Sequence, residues 1–336
     1  MDLKTLTEIN APSGHEQAIR RFLLDELKKL GFAPVLDRMG NVVVVKEGTG
    51  DAPRKRVMVS AHMDEVGLIV TSATEDGYLR IAAAGGIDPR VLVSKRVTVG
   101  EDKLPGVIGA VPIHLQSAAE RKHVLSMDEL LVDIGAKNKD EAECKAPMGT
   151  YISFDTPYVE YGDGFACGKA FDDRVGCLSL LRLLQEELPV DLVACFVSEE
   201  EVGCRGAKGA AFQQEPDVGI VLEGTTCNDL GDVPETAHVC EAGQGVAVSF
   251  MDGASIANRT LFRKALNVAK QENIPHQVKH SVSGGNDGGA IQRAREGVPV
   301  VVLSVPCRYI HSPSSVVKLS DVESQFALVK ALVKAL

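Results

Sequence analysis

The sequence predicts an α/β protein in which a mixed-sheet, three-layer α/β domain is interrupted by a small all-β, barrel-like insertion. Three observations predict it. Continuous apolar runs (Val190–Val197, Val218–Leu222, Val298–Val305) alternate with amphipathic helical stretches, as in a sheet with helices on both faces. From about Gly67 to Asp163 the texture changes to short alternating segments broken by Gly, Asp and Pro, which reads as a small barrel or sandwich. The 336 residues also exceed what one hydrophobic core usually serves. The expected boundaries are 1–66 with 164–336 for the α/β part and 67–163 for the insertion.

Taken in order, Ile19, Phe22, Leu23, Leu27 and Leu30 recur at helical spacing and Gly31 ends the helix. Val42–Val45 and Val57–Ser60 are β-branched strands. In the insertion, Leu68–Ser72, Tyr78–Ala82, Val91–Val99 and Gly106–Val111 read as strands. Helix follows at Asp173–Leu188, with Val175, Leu178, Leu181 and Leu184 on one face and Pro189 beyond its end. Ala257–Asn273 and Asp321–Leu336 are further amphipathic helices on either side of Val298–Val305.

Bulk properties narrow the function. A formal charge of -10 disfavours nucleic acid, which needs a positive surface. No apolar stretch approaches the ~20 residues that span a bilayer. The start, Met-Asp-Leu-Lys-Thr, has no basic region leading into an apolar run, so a cytoplasmic location is expected. The eight cysteines form no CxxC pair and fall mostly in apolar segments, which fits free thiols in a reducing compartment.

Five short patterns carry chemistry. His62 and Asp64 end the strand Val57–Ser60, two residues apart and so on one side; a surface turn is the bland alternative. Asp172 lies in Phe171-Asp172-Asp173-Arg174, where an aspartate also serves as an ordinary helix cap. Glu199, Glu200 and Glu201 follow a core strand, and such crowding of carboxylates calls for a cation. Glu223 ends Val218–Leu222, and His311 follows Val298–Val305. Each of these two is weak alone. Together, His62, Asp172, Glu201, Glu223 and His311 share one sheet edge, where sites form. Nitrogen and oxygen donors without thiolate suit zinc, cobalt or manganese. One shared carboxylate plus two ligands per ion matches a pair of divalent ions in a hydrolytic centre.

The same motifs resemble those of metallopeptidase family forty-two, the tetrahedral aminopeptidases that include glutamyl, leucyl and lysyl aminopeptidases. The resemblance spans nearly the whole chain. It rests on Ala61-His62-Met63-Asp64-Glu65-Val66-Gly67, Gly85-Gly86-Ile87-Asp88-Pro89, Asp133-Ile134-Gly135-Ala136, Phe171-Asp172-Asp173-Arg174, Glu200-Glu201-Val202-Gly203 and Arg308-Tyr309-Ile310-His311-Ser312. It implies that His62 and Glu223 hold one ion, Glu201 and His311 the other, and that Asp172 bridges them. It also implies Glu200 as general base, Asp64 as the residue orienting His62, and a cis peptide between Asp172 and Asp173. Peptides with a free N-terminus are the implied substrates. Dimers formed through the insertion, building a tetrahedral dodecamer, are the implied assembly. Glu223 stands where many members have Asp, and Asn286 where Thr is more usual, so Asp287 receives no catalytic role.

Two rival activities use similar residues. Paired carboxylates also serve glycosidases, yet the chain has no Trp and only 4% aromatic residues for stacking on sugars. A two-metal amidohydrolase removing acyl groups is the other. Arg205, Lys208 and Arg308 are the basic residues considered for attracting an acidic first residue.

Overall fold

The computed structural model describes residues 2–336. Its larger part is built on an eleven-stranded mixed sheet. The strands run in the order Val35–Leu36, Val42–Lys46, Asp191–Val197, Arg56–His62, Val218–Thr226, Val300–Arg308, Ser315–Lys318, Phe165–Gly168 and Val159–Tyr161. Val246–Ser249 pairs on Val300–Arg308, and His276–Val278 pairs on Val246–Ser249. The four strands from Asp191–Val197 to Val300–Arg308 are mutually parallel. They are covered on both faces, which is why their sequences read as unbroken apolar runs.

On one face, helices Gln17–Lys29, Phe171–Leu183, Arg259–Gln271 and Leu319–Lys334 pack over Val57, Val59, Leu192, Ala194, Ile220 and Leu303. On the other, Arg205–Gln214 and Asp287–Gln292 cover Met58, Val193, Cys195, Val221 and Val302. Alternate residues of each strand thus feed opposite cores. This is the expected three-layer arrangement.

The insertion closes into a barrel of six antiparallel strands, in the order Gly67–Ala73, Leu79–Ala84, Leu131–Asp133, Leu104–Gly109, Arg96–Val99 and Tyr151–Phe154. Leu68, Val70, Leu79, Ile81, Val97, Ile108, Val132 and Ile152 fill it, and closure leaves no free edge. One expected element differs. Val91–Val99 is not a single strand, because Pro89–Val91 forms a 3-10 turn capped by Asp88 and pairing begins only at Arg96. Proline fixes φ and lacks an N–H, and the aspartate supplies the turn's acceptor. Between the barrel strands Leu104–Gly109 and Leu131–Asp133, the chain leaves Val111, Ile113, Leu115 and Val124 exposed.

All eight cysteines are free. No helix among the described residues is long and apolar enough to cross a membrane.

Barrel and sheet meet beside His62, where a buried ion pair ties three segments together. Lys169 Nζ donates to both oxygens of Glu65, at 2.8 and 2.9 Å. The Ala11 N–H donates to the same carboxylate at 2.8 Å. Both charged residues are buried, and Arg174 stands off at 4.0 Å from Glu65, so losing Lys169 removes the cation that is hydrogen-bonded to this carboxylate. Lys169→Met is expected to destabilise the protein by roughly 3–5 kcal/mol, read as a lower midpoint in urea. An unchanged midpoint would refute this role for the pair.

Candidate metal centre

The four parallel strands deliver their carboxyl ends to one edge. His62 is the last residue of Arg56–His62, Glu200 and Glu201 follow Asp191–Val197, and His311 follows Val300–Arg308. Glu223 differs from expectation. Its strand continues to Thr226, and Glu223 lies within it, opposite Ser304. Asp172 comes from the first turn of Phe171–Leu183, where Asp172 and Asp173 have non-helical dihedrals. The peptide bond between them is cis, as the resemblance implied. At Glu199, Tyr309 and His311 φ is 55, 58 and 56°, a left-handed region that non-glycine residues enter at a cost. Those reversals turn the chain back over the sheet edge.

These elements bring the five expected residues into two sets of three that share Asp172. His62 Nε2 lies 3.3 Å from Asp172 Oδ1 and 3.6 Å from Glu223 Oε2. His311 Nε2 lies 3.4 Å from Asp172 Oδ2 and 3.2 Å from Glu201 Oε2. The two oxygens of Asp172 therefore face different imidazoles. The Gly224 N–H donates to Asp172 Oδ1 at 3.1 Å. A Cβ on Gly224 would stand 2.9 Å from that oxygen, so the close approach requires glycine here.

Asp64 is the hub behind the set. Its Oδ1 lies 3.5 Å from His62 Nδ1, and its backbone oxygen lies 3.2 Å from the same nitrogen. The carboxylate also accepts the N–H groups of Glu200 and Glu201 and the Ser13 hydroxyl, the last at 2.6 Å. One buried carboxylate thus fixes both the imidazole and the turn carrying the two glutamates. Ser13 was missed in the sequence because nothing in Pro12-Ser13-Gly14 marks it.

The electrostatics are those of crowded anions. Burial pushes the Glu201 carboxyl up to about 8, His311 opposes this, and Asp172 adds to it. Glu200 and Glu223 are also raised, first by burial. Burial would lower His311, but Asp172 and Glu201 hold it at about 9. Asp172 goes the other way: burial opposes ionisation, yet His311 and His62 hold it well below the usual range. Glu223 Oε1 is buried without a hydrogen-bond partner. Nitrogen and oxygen donors converging on a shared carboxylate, with an orphaned anionic oxygen, fit divalent cations.

A cavity of about 410 Å3 opens over the cluster, lined by Asp172, Glu200, Glu223, His311 and Lys279 among others. Lys279 was not anticipated. It is 8% exposed, and its ammonium has no hydrogen bond or ion pair to any described residue. The basic residues singled out in the sequence are otherwise engaged or placed. Arg308 pairs with both oxygens of Asp229, at 2.8 and 2.7 Å, Arg205 pairs with Glu199 at 3.2 Å, and Lys208 is exposed on its helix.

A three-layer α/β fold with this cluster on its carboxyl edge is the architecture of a metallo-aminopeptidase. The profile of the family described as M42 glutamyl aminopeptidase matches residues 40–328. The chain belongs to that family. It is similar to the lysyl aminopeptidase of Pyrococcus furiosus, at 33% identity covering 99% of this chain and 96% of the relative. It is also similar to the glutamyl aminopeptidase of Lactococcus lactis subsp. cremoris, at 32% identity covering 99% and 95%. Among solved structures, the TET1 peptidase of Pyrococcus horikoshii superposes with a TM-score of 0.87 at 33% identity, covering 99% of this chain and 98% of that one. That protein is described as assembling into a tetrahedron or a large octahedral shell.

The Arg308–Asp229 pair anchors the loop after Val218–Thr226 beside the cavity. Burial opposes ionisation of Asp229, but Arg308 and the Ala242 N–H hold it at about 2. Its folded value is below the unfolded value near 3.9, so its stabilisation is present above about pH 4 and lost as pH falls through 2. Asp229→Asn is expected to flatten the fall in melting temperature across that window. An acid limb identical to wild type would contradict the assignment.

Proposed function

We propose that the chain is a co-catalytic two-metal aminopeptidase that releases the first residue of peptides with a free N-terminus. The single observation that carries the proposal is Asp172, whose two oxygens face His62 and His311 separately. On this reading His62 and Glu223 complete one cation site, and Glu201 and His311 the other. Asp172 is common to both. Zinc and cobalt suit the donors, and manganese is a third candidate. Such ions supply Lewis acidity for a carbonyl oxygen and make a water more acidic.

The remaining work falls to side chains of this protein. Glu200 lines the cavity beside the cluster, and burial raises its carboxyl, which suits a group that must both take and return a proton near neutral pH. It accepts the proton of the attacking water and passes it to the departing amine. Asp64 orients His62 and holds the Glu200 N–H, so base and ligand keep one geometry. The acidic wall favours a protonated substrate amine, which restricts cleavage to the first peptide bond.

Lys279 supports a preference for an acidic first side chain, because it lines the cavity and its ammonium has no partner there. A carboxylate placed against it would gain a charge-assisted hydrogen bond. The exposed apolar segment at Val111, Ile113, Leu115 and Val124 supports dimerisation through the barrel. The further step, dimers building a tetrahedral dodecamer, is supported by the relative that is described as able to assemble into a tetrahedron.

Glu200→Gln is expected to retain both metal ions by elemental analysis and to lower kcat by roughly 10²–10⁴-fold. Near-wild-type turnover would sink the base assignment. Lys279→Met is expected to cut kcat/KM for a glutamyl substrate by roughly 10–100-fold, about 1.5–3 kcal/mol, and to spare a leucyl one; equal losses on both would rule out a charge-reading role. Light scattering should find a particle far larger than a monomer at micromolar concentration, and a monomer alone would contradict the assembly.

A further inference from the structure

One cluster in the cavity region joins Glu200 to two residues that the reaction above does not use. Cys204 precedes helix Arg205–Gln214 and adopts φ of 53°. Its Sγ lies 3.3 Å from Glu200 Oε1. A carboxylate oxygen of Asp287 completes a set in which the three donor atoms all lie within 4.8 Å of one another.

Asp287 supplies the independent observation. It is 1% exposed, and neither of its carboxylate oxygens has a hydrogen-bond partner. Its place at the start of Asp287–Gln292 does not account for it. The cap there is Asn286, whose Oδ1 accepts the Gly288 N–H at 2.9 Å while its Nδ2 donates to Asp252. A bare buried carboxylate beside a second carboxylate costs several kcal/mol unless a proton or a cation neutralises it. Burial and the nearby Glu200 accordingly push the Asp287 carboxyl well up.

We propose that Glu200, Cys204 and Asp287 form a third divalent-cation site, whose occupation inhibits the enzyme. The sulfur donor selects a thiophilic ion such as zinc or cobalt over magnesium or calcium. The thiol proton, and the proton held on the Asp287 carboxyl, pass to solvent as the bonds to the metal form. Further positive charge is tolerated, because Asp172, Glu200, Glu201, Glu223 and Asp287 together carry more formal negative charge than two divalent ions neutralise. Filling the site engages Glu200 as a ligand and removes it from proton transfer. The inhibitory consequence rests on Glu200 being the base; cation binding does not.

Cobalt distinguishes the sites. The five residues proposed for the first two ions offer only nitrogen and oxygen, so their cobalt complexes absorb in the visible range without a sulfur-to-cobalt charge-transfer band. Titrating Co2+ into the full-length protein should raise visible bands alone over the first two equivalents. A third equivalent should then bring up near-ultraviolet charge-transfer absorption in step with loss of activity. Cys204→Ser should abolish that band and the excess-metal inhibition, measured against the variant's own activity at two equivalents. Asp287→Asn should weaken both, and if it fails to fold, Cys204→Ser still decides. A third equivalent without the near-ultraviolet band would overturn the proposal, as would a band that survives Cys204→Ser. A sulfur band that begins after one equivalent would instead sink the two-ion reading while leaving the sulfur-containing site in place.

Discussion

The structure depends on a set of carboxylates drawn out of water at one edge of a sheet, where they repel one another until protons or cations neutralise them. Asp172 is at the centre of this conflict. Each of its oxygens faces an imidazole, and the strand residue Gly224 both donates to it and leaves it room. Burial amplifies the repulsion, because low dielectric strengthens every charge–charge term. Glu200, Glu201 and Glu223 are pushed upward for that reason. On the proposed two-metal reading, the site discharges this electrostatic cost when divalent ions bind.

The surrounding architecture serves to hold that geometry. Parallel strands buried on both faces place their ends in register, and helices on both sides stiffen them. Asp64 fastens His62 to the turn bearing Glu200 and Glu201. The adjoining Glu65–Lys169 pair locks the N-terminal segment to the same region. The barrel also approaches closely: a Cβ on Gly85 would meet Glu201 Cβ at 3.3 Å and Val66 Cγ1 at 2.9 Å. A glycine with φ of 102° is needed where the insertion leans on the site.

Much of this was legible in the sequence, for a physical reason. Strand ends in an open α/β sheet converge, so His62, Glu201 and His311 can be gathered from the sequence alone. Glu223 was singled out, but its strand continues past the expected end. Gly224-Thr225-Thr226 looks like a turn, yet its backbone pairs with Val305–Cys307. Lys279 was invisible, since only the tertiary fold carries the end of His276–Val278 into the cavity. Arg308 was misleading in the opposite way. Its charge made it a candidate for attracting an acidic first residue, whereas Asp229 claims its guanidinium. Cys204 and Asp287 lie in distant segments, and no local pattern announces that they meet at Glu200.

The most direct measurement is anomalous diffraction from crystals grown with zinc, collected on both sides of its absorption edge. The account predicts two strong peaks that share Asp172, one beside His62 and Glu223 and the other beside Glu201 and His311. A single peak, or peaks out of bonding reach of Asp172, would contradict it.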